Sequence, residues 1–377
     1  MSLVTFLGIY FVRRAGIDLG TVGLAFLVES MLRGIAAPMF GALSDRVGRR
    51  TLLIAAALAT ALVLPCFLLV SGPASLFAWS VAMGIVGAIN MPVATALLLD
   101  LAPSERRQSV LAVNYTGMSV AYTLGVMPAG YVAEQSYVAL AAIAGLGYVV
   151  VATLYTLALR TSAPRPSDAG MLRDTVSAFH DRTFLLFASL AFVFPLSMGL
   201  EVTASPLFAA DAGLGEGYIG LVLGGNSIIV AALALPLATR IEPRGPFRLL
   251  GAAALVVAAG LACYAVVPGA AAAYLLGTVV FSFGELVFSS AVPAAVARLA
   301  PPGRRGAYQG SWTLVASFSM GSALFFSGLL RDAAGWPSVW AIYCGLLLLA
   351  AVLLFITRDG FKSVSDSRNA TRSSISA

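Results

Sequence analysis

The chain has 377 residues, of which 59% are hydrophobic and only 11% charged, and it carries a formal net charge of +6. A soluble domain has about a quarter of its residues charged, so water is not the main solvent of this chain. A single histidine (His180), and cysteines 66, 263 and 344 all placed within apolar runs, indicate neither a zinc site nor a disulfide framework.

A membrane-crossing helix needs about 20 apolar residues, and such runs recur almost end to end. The first, Leu3 to Val12, is only ten residues long, and at about 1.5 Å per residue it covers roughly half of the hydrocarbon. No basic stretch precedes it and Arg13 and Arg14 follow it, unlike a secretory signal. It reads as the outer end of a first helix whose start lies upstream of Met1. Eleven full runs follow, at 19–40, 51–70, 75–99, 109–133, 136–159, 183–206, 216–239, 247–267, 271–297, 307–330 and 338–357.

The positive charge falls on alternate loops. One set holds Arg46, Arg49 and Arg50, then Arg106 and Arg107, Arg160 to Arg182, Arg240 to Arg248, and Arg298 to Arg305, and the tail adds Arg358, Lys362, Arg368 and Arg372. The opposite set has only Arg13, Arg14 and Arg331. This asymmetry is a topology signal, not a nucleic-acid footprint, and places the Arg-rich loops and the C-terminus in the cytoplasm.

The chain also repeats itself at an offset of 198, where Leu101 to Arg107 falls on Leu299 to Arg305 with five of seven residues identical. The same register puts Arg46 on Arg244, Arg50 on Arg248, Gly130 on Gly328 and Glu134 on Asp332. Loop basicity accounts for the arginines but not for the glycine and proline matches. The expected units are an N-terminal bundle at 1–159, a cytoplasmic linker at 160–182 with a weakly amphipathic run from Met171 to Phe179, a C-terminal bundle at 183–357 and a short polar tail at 358–377.

Between the second and third runs stands Gly41-Ala42-Leu43-Ser44-Asp45-Arg46-Val47-Gly48-Arg49-Arg50. It resembles the signature loop of the major facilitator superfamily, G-x-L-a-D-R-x-G-R-R/K, at every specified position. Span number, parallel repeat and central linker extend the resemblance to essentially the whole chain. It implies an all-α membrane fold of two six-helix bundles around a central cavity, here with a truncated first helix. It also implies transport by alternating access. Gly41 and Gly48 permit a tight turn, and Asp100 at the inner end of the fourth run is a partner for Arg49. The resemblance further implies that Asp45 faces the start of the eleventh helix, near Gly306 and Ala307, where a helix dipole favours negative charge. The second-half equivalent, Glu242 to Arg248, keeps arginines but lacks the acid, so an asymmetric switch is expected.

Ionisable groups within hydrocarbon cost at least a few kcal/mol and are functional candidates by default. Glu29 and Arg33 of the second run are one turn apart and can neutralise each other in place. Asn90 and Met91 give the fourth run a polar and a soft contact, although core packing suffices for Met91. Gly125, Pro128 and Gly130 of the fifth run partly resemble the antiporter motif of drug exporters, and a kinked, closely packed helix explains them equally. Glu201 lies towards the outer end of the seventh run, with Phe194, Met198 and Ser205 on its face. It serves a cationic substrate or sits at headgroup level. Glu285 lies mid-span in the tenth run, which by resemblance lines the cavity, with Phe281, Phe288 and Ser289 on its face. The arginine that many proton-coupled relatives carry in the fourth span is missing here, where Trp79 and Ser80 stand.

No phosphate-binding G-x-x-x-x-G-K-[ST] loop occurs, and Lys362 is the only lysine, so gradient-driven transport is expected and no cofactor. Proton-coupled export of amphipathic drugs or metabolites leads, with proton-coupled nutrient uptake as alternative. A non-transporting receptor or scaffold, and a membrane enzyme, follow at a distance. The expected partners are a small molecule, protons and the lipid bilayer of a bacterial inner membrane, with the protein acting as a monomer.

Overall fold

The computed structural model describes residues 4–101, 107–159, 178–241, 246–266, 269–301 and 304–376. Most of the linker, including the run from Met171, lies outside the described residues.

Helices account for nearly all of it, because backbone amides in hydrocarbon must be satisfied within their own segment. α1 (Val4–Ile9) runs on through a π-helical turn, Tyr10–Arg14. α2 (Leu19–Val47) is capped by Asp18, whose carboxylate accepts from Thr21 N at 2.8 Å. There follow α3 (Arg49–Val63, extended by a 3₁₀ segment Leu64–Leu69), α4 (Pro73–Leu101), α5 (Arg107–Gln135) and α6 (Tyr137–Ala158). α7 (Arg182–Asp211) contains a π-helical segment, Leu200–Ala204. α8 (Glu216–Ile241), α9 (Pro246–Val266) and α10 (Ala270–Leu299) precede a long helix, Arg305–Ser376, broken at Ala334 and Gly335 into α11 (305–333) and α12 (336–376). Gly335 makes that break with φ +76°, a conformation side chains resist. Nine helices among the described residues are long and apolar enough to cross a membrane, and the ninth carries both α11 and α12.

The signature loop is shorter than expected. α2 continues through Asp45 to Val47 and α3 starts at Arg49, so Gly48 alone, at φ +97°, makes the turn, while Gly41 sits inside α2. The tail also differs from a plain polar stretch, since α12 continues through it. Phe361 is buried there, stacked on Phe247 at 5.4 Å, and Arg368 reaches Leu299 O and Asp181.

Two bundles, α1–α6 and α7–α12, meet along two seams, α2 against α11 and α5 against α8. The repeated glycines explain themselves here. A Cβ on Gly130 of α5 would lie 3.1 Å from Gly220 Cα of α8, and one on Gly328 of α11 would lie 3.0 Å from Gly20 N of α2. Both pairs lie near the Arg-poor end. Along α2 the close approach continues to Gly34, whose Cβ would be 3.1 Å from Ser317 Cβ, whereas Gly41 and Gly306 have no neighbouring atom within 4 Å of theirs. Both seams are therefore tight near the Arg-poor end, and along α2 the close approach reaches Gly34 but is not seen at Gly41.

Candidate functional site

At the Arg-rich end, Arg49 bridges two acids: Nη2 lies 3.1 Å from Asp45 Oδ1 and Nη1 lies 2.6 Å from Asp100 Oδ2. Arg50 donates to Thr156 O at 2.6 Å, Ser44 Oγ donates to Gly41 O at 2.6 Å, and Arg46 is exposed. α2, α3, α4 and α6 are thereby tied within one half, and Asp45 has no described contact with the start of α11.

The three membrane acids occupy different environments. Glu29 is buried and accepts from Arg33 on its own helix, and Arg33 lies against α4, where a Cβ on Gly87 would be 3.0 Å from its Nε. Asn90, one turn beyond Gly87, is half-buried, and Met91 is exposed. Glu285 of α10 accepts from Asn226 Nδ2 of α8 at 3.1 Å, and the same amide donates to Ser282 Oγ at 2.8 Å. Glu201 lies in the π-helical segment of α7, and its Oε2 accepts from Tyr264 OH of α9 at 2.8 Å. Tyr264 OH in turn meets Thr278 Oγ1 of α10 at 3.0 Å.

Thr278, Ser282 and Glu285 recur at helical spacing, so one polar stripe of α10 joins the surroundings of both acids. Tyr122 of α5, beside Thr5 of α1, lies within electrostatic range of Glu201 and Glu285 from the other half. The Phe281 backbone closes on Gly260 of α9 and its side chain is fully buried, and Phe288 pairs with Phe194 of α7 at 5.1 Å within the C-terminal bundle.

At the Arg-poor end a polar cluster joins the halves. Arg13 Nη2 donates to Ala210 O at 2.6 Å and its Nε lies 3.7 Å from Asp211 Oδ1, while Arg331 Nη2 and Trp336 Nε1 reach Asp211 Oδ2 at 2.7 and 3.0 Å. Glu134 at the end of α5 accepts from Gly217 N–H in the first turn of α8 at 3.0 Å, an acid at a helix N-terminus. Gly130 serves this seam, Gly125 is half-buried and Pro128 is exposed.

Sequence reasoning missed Asn226, Tyr264, Thr278, Asp211 and Glu134 as site residues. A signal existed for Asp211, because the offset of 198 that aligns the halves also places Arg13 on Asp211. For Tyr264 and Thr278 there was none, since a tyrosine or threonine in an apolar run is unremarkable until its partner is known.

The sequence is similar to the Na(+), Li(+), K(+)/H(+) antiporter of Planococcus maritimus, 26% identical over 345 residues, covering 80% of this chain and 79% of that protein. It is also similar to the multidrug resistance protein MdtG of Dickeya zeae, 31% identical over 112 residues, covering 30% of this chain and 27% of that one. Among solved structures, that of the nucleoside transporter NupG superposes with a TM-score of 0.75 at 15% identity, over 94% of each chain, a likeness of fold. The sequence model of the Major Facilitator Superfamily matches residues 1–281 and 187–377, which together span the chain from end to end. With its two six-helix bundles and its signature motif, the chain belongs to the Major Facilitator Superfamily and is a multi-pass membrane transporter.

Proposed function

We propose that this transporter is a proton-coupled antiporter that exports cationic or amphipathic solutes, with Glu285 as the coupling acid. The observation that carries this is how the membrane acids are compensated. Glu29 has Arg33, whereas Glu285 accepts from the neutral amide of Asn226 and, among the described residues, has no ion pair. A buried carboxylate without a cationic partner is strongly disfavoured, so Glu285 is neutralised either by a proton or by a bound cation. Binding of one then requires release of the other. The similarity to a cation/proton antiporter and to a multidrug resistance protein supports exchange and export.

In this reading the Arg-rich loops are cytoplasmic, the membrane is a bacterial inner membrane, and the state described here faces inward. In the opposite state Asp45 caps the start of α11, as the motif implies, and the Arg13–Asp211–Arg331 cluster and the Glu134 cap come apart.

The test is expression in an efflux-deficient bacterium challenged with a panel of organic cations. Wild type should protect against at least one compound, and Glu285→Gln and Asp45→Asn should each remove most of that protection at equal membrane abundance. Protection that survives Glu285→Gln removes that acid from the mechanism, and a wild type that protects against nothing overturns export.

A further inference from the structure

Glu201 is 3% exposed, and while its Oε2 holds the Tyr264 hydroxyl, its Oε1 is buried with no hydrogen bond of ordinary geometry among the described residues, the Ser205 and Thr278 hydroxyls lying near the carboxyl. A carboxylate oxygen left in this way is costly unless something the structure does not contain takes the position. We propose that Glu201 is a binding site for a dehydrated monovalent metal cation, Na⁺, K⁺ or Li⁺, which exchanges there with a proton. This deepens the antiport reading above and rests on it.

Four observations support it. The first is charge: among the described residues the ionisable neighbours of Glu201 are Tyr264 of α9, Tyr274 and Glu285 of α10 and Tyr122 of α5, with no basic side chain among them. The second is donor chemistry, because carboxylate and hydroxyl oxygens from Glu201, Tyr264 and Thr278 are the ligands that hard cations select. One carboxylate balances one positive charge, which favours a monovalent ion over calcium or a transition metal, and the described residues hold no cluster of three or more His, Cys, Asp or Glu.

The third observation is backbone. Glu201 sits in the π-helical segment of α7, and such single-turn interruptions recur where a helix serves a ligand. The fourth is access. α1 of the other half packs on this segment and on Ser205–Asp211 beyond it, so the site is covered from the Arg-poor end in this state. Parting the halves at Arg13–Asp211 lifts that cover. The exchange balances as one metal ion leaving Glu201 and one proton taking its place, the carboxyl being neutralised in both forms.

Everted membrane vesicles containing the full chain, acidified by respiration and reporting internal pH with acridine orange, are pulsed with NaCl, KCl, LiCl or choline chloride. The expected result is alkalinisation by at least one metal and none by choline, with a half-saturating concentration that rises at least tenfold as pH falls from about 8.5 to 6.5. Glu201→Gln should reduce the response at least tenfold, Tyr264→Phe should raise the half-saturating concentration, and Glu201→Asp should retain a weaker response. Purified protein gives a second readout, because the Trp340 ring lies 4.8 Å from that of Tyr264 and its fluorescence should respond to the same metal in wild type and not in folded Glu201→Gln.

Absence of any metal response in wild type, or an undiminished one in Glu201→Gln, overturns the proposal. If Glu201→Gln fails to fold, the Tyr264→Phe and Glu201→Asp titrations decide, and half-saturating concentrations equal to wild type overturn it. An organic-cation pulse on the same vesicles separates the two readings. Organic-cation exchange lost in Glu285→Gln, without any metal response, sinks the metal site and leaves the antiport reading standing. Metal exchange with organic-cation exchange unaffected by Glu285→Gln does the reverse.

Discussion

Charge compensation at single residues makes this protein's chemistry local. Glu29 and Arg33 neutralise each other on one helix, so removing one partner strands the other in the membrane. Arg33→Ala should destabilise the protein by about 3 kcal/mol, and the Glu29→Ala/Arg33→Ala double variant should recover most of that loss, measured by thermal unfolding in detergent. Asp181, at the N-cap of α7, is compensated differently. Burial raises its pKa, but hydrogen bonds from Tyr308 OH at 2.7 Å and Arg368 Nη2 at 2.8 Å, with the Arg368 charge, outweigh it and hold the carboxyl below its ordinary value. A depressed folded value means that the stabilisation is complete above the unfolded carboxylate range, about pH 4, and is lost as pH falls through the folded value. Asp181→Asn should therefore be less stable by about 1–2 kcal/mol at pH 7 and approach wild type below about pH 4, as melting curves across that range will show.

Irregular helices carry the site at the scale of elements. The π-helical segment Leu200–Ala204 inserts backbone into α7, and everything beyond it is rotated relative to a regular helix. Asp211, which gathers Arg13, Arg331 and Trp336, depends on that rotation. Inserting one alanine between Ala204 and Ser205 should turn Ser205–Asp211 by about 100° about the helix axis and remove Asp211 from its partners. Transport should be lost while membrane insertion and abundance are kept, as measured by immunoblot of membrane fractions beside the vesicle assay.

Across the whole molecule, the proposed cycle sets two acid-to-helix contacts at opposite ends against each other. Glu134 caps α8 in the state described here, and in that proposal Asp45 takes the same task at α11 in the other state. A carboxylate at a helix N-terminus contributes about 0.3–1 kcal/mol, a factor of about 2–5 in population. Glu134→Gln should shift the molecule towards the state open at the Arg-poor end by that factor, and Asp45→Asn should shift it away. Spin-label distances between the Arg-poor ends of α5 and α8 will report both, and shifts of the same sign would remove the opposition.

Membrane insertion, twelve-fold segmentation, the repeat and the signature motif were legible in the sequence, because hydrophobic length and charge alternation are one-dimensional consequences of the bilayer. The candidacy of Glu29, Glu201 and Glu285 was legible for the same reason, since an acid in an apolar run stands out in any fold. The pairing of Glu29 with Arg33 at i and i+4 was legible too, whereas the partners of Glu201 and Glu285 were decided only in three dimensions. Asn226 lies 59 residues from Glu285, and Tyr264 lies 63 residues from Glu201. The repeated glycines were visible as letters, but only the crossing of α5 on α8 and of α11 on α2 showed them to be the points where the two halves touch. The sequence by itself determined the solvent of each segment, and the tertiary structure determined the partners of each charge, because helix packing brings together residues whose separation along the chain carries no signal.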